Sequence, residues 1–163
     1  MSGKEFWKVR YKDKWKDGLR RENLIKELLE MWDYKVFDFG FETLSTEYNP
    51  NSPDEKGKPD FYVEKNNQKI FIEVTGTDSP RVLPSYSIWI RPDKIEYIKK
   101  HNLKAFCAHV LENYQLIRFI DMNEINDNKI ITRTIRGTPE RYFEISPNEC
   151  LSVDEFNKIL EEI

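Results

Sequence analysis

Two short apolar runs joined by a polar turn constrain this chain more than any other feature. Residues 59–64 and 69–76 read as strands, and Lys65-Asn66-Asn67-Gln68 between them has the asparagine-rich character of a hairpin loop. On the second run a period of two sets Lys69, Phe71, Glu73 and Thr75 on one face and Ile70, Ile72 and Val74 on the other. Asp60 opens the first strand and Glu73 follows it by 13 residues, so each strand of the hairpin carries one carboxylate. A carboxylate on an apolar strand is costly to bury unless it is paired or holds a metal. Glu73 is therefore the residue whose presence needs a reason.

The 163 residues suit one domain, and a hydrophobic share of 39% with 13% aromatics is enough to pack its core. No apolar run approaches the length of a membrane span, and the N-terminus is too charged for a secretory signal. A cytoplasmic protein with no membrane partner is expected. Cys107 and Cys150 lack C-x-x-C spacing and stand apart from His101 and His109, which argues against zinc. Cys107, within Ala105-Phe106-Cys107-Ala108, reads as core.

A net charge of −3 gives no global sign of nucleic-acid binding, but the charge is uneven. Residues 1–22 hold a run of bases that includes Lys14, Lys16, Arg20 and Arg21, interleaved with Phe6, Trp7, Tyr11 and Trp15. Such an arm suits a phosphate backbone with bases stacked on its rings. The alternative is a solvated segment whose aromatics cover the edge of the core. Arg81 and Arg91 are further candidates for phosphate contact, against the plainer reading of a surface pair.

Periodicity predicts a helix from about residue 18 to Trp32, capped by Asp17 and striped by Leu24, Ile25, Leu28, Leu29 and Trp32. Asp33-Tyr34 ends it, residues 35–46 read as a strand or bent hairpin arm, and residues 47–58 as a loop. After the carboxylate hairpin come a turn-rich piece, a short strand over 87–90, and a helix opened by Pro92 that runs to about His101. Residues 105–111 suit a strand buried on both sides, with residues 114–120 as a hairpin partner across Glu112-Asn113. Strands over 130–135 and 141–145 and a closing helix from Val153 complete the pattern. The order argues for an α/β fold, a central mixed sheet flanked by helices.

Two carboxylates on adjacent strands form an oxygen site for a hard cation such as Mg²⁺. A metal there activates water and neutralises charge developing on a phosphate. Glu22 is a third candidate, since spacings of three and seven residues set it on the helix face of Leu19, Ile25 and Leu29. Lys26, Glu27 and Glu30 are placed more easily towards solvent. Each acid also has a structural reading. Glu22 sits near a helix N-terminus, Asp60 at a strand-entry turn, and Glu73 within reach of Lys69 or a cross-strand base.

In this order the pieces resemble the PD-(D/E)xK nuclease superfamily, and within it the archaeal Holliday-junction-resolvase-like and restriction-endonuclease-like members. The matching segments are Gly18-Leu19-Arg20-Arg21-Glu22, Pro59-Asp60, Ile72-Glu73-Val74-Thr75, and Ser87-Ile88-Trp89-Ile90-Arg91-Pro92-Asp93-Lys94-Ile95. They span about residues 17–120, leaving a basic arm over 1–16 and an extension over 121–163 within a single nuclease-like domain. The resemblance implies a restriction-endonuclease-like core and hydrolysis of DNA phosphodiester bonds with Mg²⁺ or Mn²⁺. It implies that Asp60, Glu73 and the carbonyl of Val74 hold the metal while Glu22 acts as an outer acid. It also implies a homodimer, for which Leu83, Tyr86 and Trp89 are surface candidates if they are not core.

The family's lysine, two residues beyond the second acid, is Thr75 here. A hydroxyl hydrogen-bonds water but supplies no cation to a phosphoryl group. Three readings follow. The charge comes from elsewhere, first from Lys94, which starts the helix after the hairpin where relatives present a glutamine. Lys69 is four residues from Glu73, about 13 Å by strand rise, and fits less well. Alternatively Thr75 positions water in a purely metal-driven enzyme, or the chain is an inactive nuclease-fold module that binds nucleic acid or a protein partner.

Overall fold

The computed structural model describes residues 20–39 and 57–163, with the backbone alone of Arg20. Asp17 as a cap, the basic arm with Lys14 and Lys16, the end of the strand expected over 35–46 and most of the loop over 47–58 lie outside the described residues. The first described helix, α1 (Arg20–Met31), buries Leu24, Ile25, Leu28 and Leu29, with Trp32 packed beside them. Asp33 ends it by turning left-handed at φ 68°, and the Tyr34 N–H donates to the Leu29 carbonyl at 3.0 Å.

The main sheet has five strands, β1 (Val36–Asp38), β2 (Phe61–Lys65), β3 (Gln68–Thr77), β5 (Lys104–Leu111) and β6 (Leu116–Asp121), in the order β1-β2-β3-β5-β6. The β2–β3 hairpin turns at Asn66 and Asn67, whose φ values of 51° and 65° give the double left-handed turn that suits strand twist. β3 and β5 run parallel, connected through β4 (Ile88–Ile90) and α2 (Pro92–Lys100), and the remaining pairs are antiparallel. The turn before β6 is longer than expected. A 3₁₀ turn over Glu112–Tyr114 and a left-handed Gln115 delay the strand to Leu116.

Residues 121–163 are built into the same body. β7 (Ile130–Ile135) and β8 (Thr138–Ile145) join β4 in a second antiparallel sheet, ordered β4-β8-β7. α3 (Val153–Glu161) starts from a capping box between Ser152 and Glu155.

Both faces of the main sheet are covered. On one, α1 and α3 pack over Phe61, Ile70, Ile72, Phe106 and Ala108; on the other, α2 and the second sheet pack over Phe71, Ala105 and Cys107. This explains why β5 is buried along nearly its whole length. No helix among the described residues is long and apolar enough to cross a membrane.

Phe156 of α3 is fully buried, stacked on Phe119 at 3.9 Å and edge-on to Phe106 at 5.0 Å. Phe156→Ala is expected to cost about 3–5 kcal/mol of unfolding free energy in chemical denaturation. A loss well under about 1 kcal/mol would mean that α3 is not held by this ring stack.

Candidate active site

Asp60 is positioned by the turn that enters β2. Gly57 makes that turn possible: its φ is +87°, and a Cβ there would fall 2.1 Å from the Asp93 carbonyl oxygen at the start of α2. The same close approach seats the Pro59-Asp60 entry against the helix that carries Lys94. Asp60 N–H donates to the Ile72 carbonyl at 3.1 Å, and the Val74 N–H donates to Asp60 Oδ2 at 2.7 Å. Continuing the Phe61↔Ile72 register by one residue sets Asp60 opposite Glu73.

Glu73 is 7% exposed, on the sheet face covered by α2. Lys94 reaches it from the first turn of that helix, Nζ to Oε1 at 2.8 Å. The other oxygen, Oε2, is buried without a hydrogen-bond partner. Burial pushes the Glu73 carboxyl up to about 8 and the charge of Asp60 adds to this, while Lys94 pulls it down. For Lys94, desolvation favours the neutral amine, but Glu73 and Asp60 outweigh it and its pKa is raised. The ammonium therefore persists through neutral pH.

Glu22 approaches from α1, half-buried, and shares a hydrogen bond with Asp60. Burial and the neighbouring Asp60 raise it to about 7. Asp60 is raised as well, by burial, against the pull of the Val74 N–H and Lys94. The hydrogen bond between them adds to the rise of Glu22, whereas for Asp60 it works against the burial that raises it.

Lys26, expected towards solvent, is partly exposed one turn after Glu22. It pairs with Asp38 of β1 at 2.5 Å and lowers the pKa of both Glu22 and Asp60. The i, i+4 spacing from Glu22 was the signal for it.

Glu22, Asp60, Glu73 and Lys94 thus converge at the entry to β2. Among the described residues, no group of three or more His, Cys, Asp or Glu side chains is arranged as a metal cage. The donor chemistry nonetheless fits a hard cation. It is all oxygen, three carboxyls are held above their ordinary range chiefly by burial, and Glu73 Oε2 has no partner.

Thr75 lies two residues beyond Glu73, partly exposed, and pairs across the parallel strands with His109. Lys69 is at the far end of β3, with Nζ 4.9 Å from the Tyr62 ring centroid. Of the basic candidates, Arg21 is paired with the buried Glu112, and Arg91 with Asp93 at 2.6 Å. Arg81 is exposed in the turn before β4. Lys14, Lys16 and the side chain of Arg20 lie outside the described residues. Leu83, Tyr86 and Trp89 are all exposed, not core.

Sequence reasoning missed His109 and Arg118, which continue the Thr75 row across β5 and β6. The alternation from Cys107 was a signal for the face, but strand register alone places them beside Thr75.

The fold is shared with solved nucleases. The Holliday junction resolvase Hjc of the archaeal hyperthermophile Archaeoglobus fulgidus superposes with a TM-score of 0.52 at 17% identity, covering 85% of this chain and 98% of the resolvase. A nuclease from a fusselovirus superposes with a TM-score of 0.51 at 19% identity, covering 89% of this chain and 92% of the viral protein. No protein-family model and no curated protein sequence matches the chain.

The raised carboxyls make stability fall with pH. Unfolded Glu73 and Glu22 release protons near 4.5 and the folded groups near 8 and 7, so the folded state binds more protons in between. His109, lowered to about 4 by burial and by Arg118, acts oppositely, but only below its ordinary 6.5. The unfolding midpoint of metal-free protein is therefore expected to drop between pH 6.5 and 8.5, and Glu73→Gln to flatten that drop. A wild-type midpoint constant across this window would refute the account.

Proposed function

We propose that this chain, which has the PD-(D/E)xK-type nuclease fold, is a divalent-metal-dependent endonuclease hydrolysing DNA phosphodiester bonds at the Glu22–Asp60–Glu73 cluster. The observation that carries this reading is the convergence of three carboxyls from α1, the β2 entry and β3 with the ammonium of α2. Both superposing proteins are nucleases, one of them a Holliday junction resolvase, which supports DNA as the substrate.

Asp60, Glu73 and the Val74 carbonyl would hold Mg²⁺ or Mn²⁺. When bound, the metal supplies a water of lowered pKa and a positive charge beside the phosphoryl oxygens. Glu22 orients the attacking water and accepts its proton. The Lys94 ammonium, fixed by Glu73, stands beside the reacting phosphate and offsets the negative charge of the transition state. Thr75, one side chain further along β3, hydrogen-bonds water or a phosphate oxygen without supplying charge.

Two observations favour a second reading, an inactive nuclease fold that binds nucleic acid. Thr75 stands in place of lysine, and the described acids form no metal cage.

Cleavage of branched, flapped, duplex and single-stranded DNA with Mg²⁺ or Mn²⁺ separates the two. EDTA, Asp60→Ala and Glu73→Ala are each expected to abolish cutting, and Lys94→Ala to lower kcat by about 10²–10³-fold. Cutting that is undiminished in both Asp60→Ala and Glu73→Ala would remove the site assignment. Binding without cutting, unaffected by EDTA and weakened by salt, would establish the second reading.

A further inference from the structure

On the Thr75 side of the carboxyl cluster lies an open cavity of about 620 Å³. Its volume falls in the range of about 300–1,000 Å³ typical of small-ligand sites. Thr75 and His109 line it, with Tyr86 and Trp89 contributing two large rings and Glu144 a carboxylate. Trp89 and Tyr86 are 42% and 52% exposed, an unusual pair of aromatic surfaces to leave open beside a polar site. Trp89 is nevertheless held in place. It stacks on Tyr142 at 5.3 Å, and its indole N–H donates to Glu144 Oε2 at 3.4 Å.

The loop that forms the outer wall is held from beneath. Arg118 donates to the Pro84 carbonyl at 2.7 Å, and the Tyr114 hydroxyl donates to the Pro80 carbonyl at 3.1 Å. Arg118 also contacts His109 Nδ1 at 3.4 Å. A guanidinium only donates, so Nδ1 is the acceptor and the ring proton resides on Nε2. His109 is thus a neutral ring with one N–H to give. The cavity is lined by aromatic faces, a neutral imidazole and a carboxylate also held by Trp89 and Arg133, the kinds of group that stack on a nucleobase and hydrogen-bond its edge.

We infer that this cavity receives one unpaired nucleobase next to the scissile phosphate, so that the preferred substrate carries an unstacked or single-stranded nucleotide at the cut. The inference rests on the nuclease reading of the adjoining carboxyls. Continuity supports it, because Thr75 lines the cavity and is two residues along β3 from Glu73. Trp89 lines the same cavity as Thr75, so a base beside a phosphate at the carboxyls would enter it from that side. A fully paired duplex keeps its bases stacked and cannot fill the cavity without extruding one.

The test is binding in EDTA of oligonucleotides carrying 2-aminopurine at a paired or an unpaired position, with wild type, Trp89→Ala, Trp89→Phe and Tyr86→Ala. Wild type is expected to bind the unpaired form on the order of tenfold more tightly than duplex and to quench its fluorescence. Trp89→Ala is expected to lose most of that preference and Trp89→Phe to keep part of it, with unfolding midpoints near wild type. Equal binding of both forms, or a preference unchanged in Trp89→Ala, overturns the inference while leaving the cleavage reading intact. Loss of self-association in Trp89→Ala with unchanged DNA binding assigns the face to a second copy and also overturns it. No binding to any oligonucleotide, together with no cleavage, removes the nuclease reading and this inference with it.

Discussion

The contact between Glu73 and Lys94 is the interaction on which the rest of the site depends. A carboxylate buried on a central strand is intolerable alone, and an ammonium at the start of a packed helix is equally costly. Together, 2.8 Å apart, they tie β3 to α2 across the covered face of the sheet. The register of the hairpin then sets Asp60 opposite Glu73, and Gly57 allows the turn before Asp60 to lie directly on the backbone of Asp93. The pairing leaves Glu73 Oε2 without a partner, and burial holds three carboxyls above their ordinary range. Such residual imbalance marks a functional site more than a stabilising one.

That pairing also bears on the lysine that the family resemblance leads one to expect at position 75. A lysine at position 75 would have projected from β3 itself, whereas Lys94 reaches the same acid from a helix packed over the sheet. With an ammonium already at Glu73, a second cation at 75 would meet like charge in a partly buried space. A threonine leaves room there instead. That room becomes the wall of the cavity shared with His109 and Trp89.

Much of the secondary structure was legible in the chain. The alternation over β3, the Asn66-Asn67 turn, the apolar stripe of α1, Pro92 at the head of α2 and the apolar run of β5 each follow a local rule and fall within a few residues of the observed elements. The places that differ are places where long-range contacts override local preference. Gln115 takes a left-handed turn that delays β6, Lys26 pairs with Asp38 beside the acids, and the strands and helix expected over 130–163 draw β4 into a second sheet and join the core.

By itself, the sequence determined the candidates: Asp60 and Glu73 on adjacent strands, Glu22 on the buried side of a helix, and Lys94 at a helix start. Periodicity sets the faces of Glu22 and Glu73 and the hairpin sets Asp60 beside Glu73, while Lys94 is singled out through the family resemblance. Only the tertiary structure decided that they meet, that Lys94 and not Lys69 is the cation at Glu73, and that Thr75, His109 and Trp89 border one cavity. Those facts depend on the register of β3 with both β2 and β5 and on how α1, α2 and the second sheet pack around it. They are set by the whole core at once, and local spacing carries no record of them.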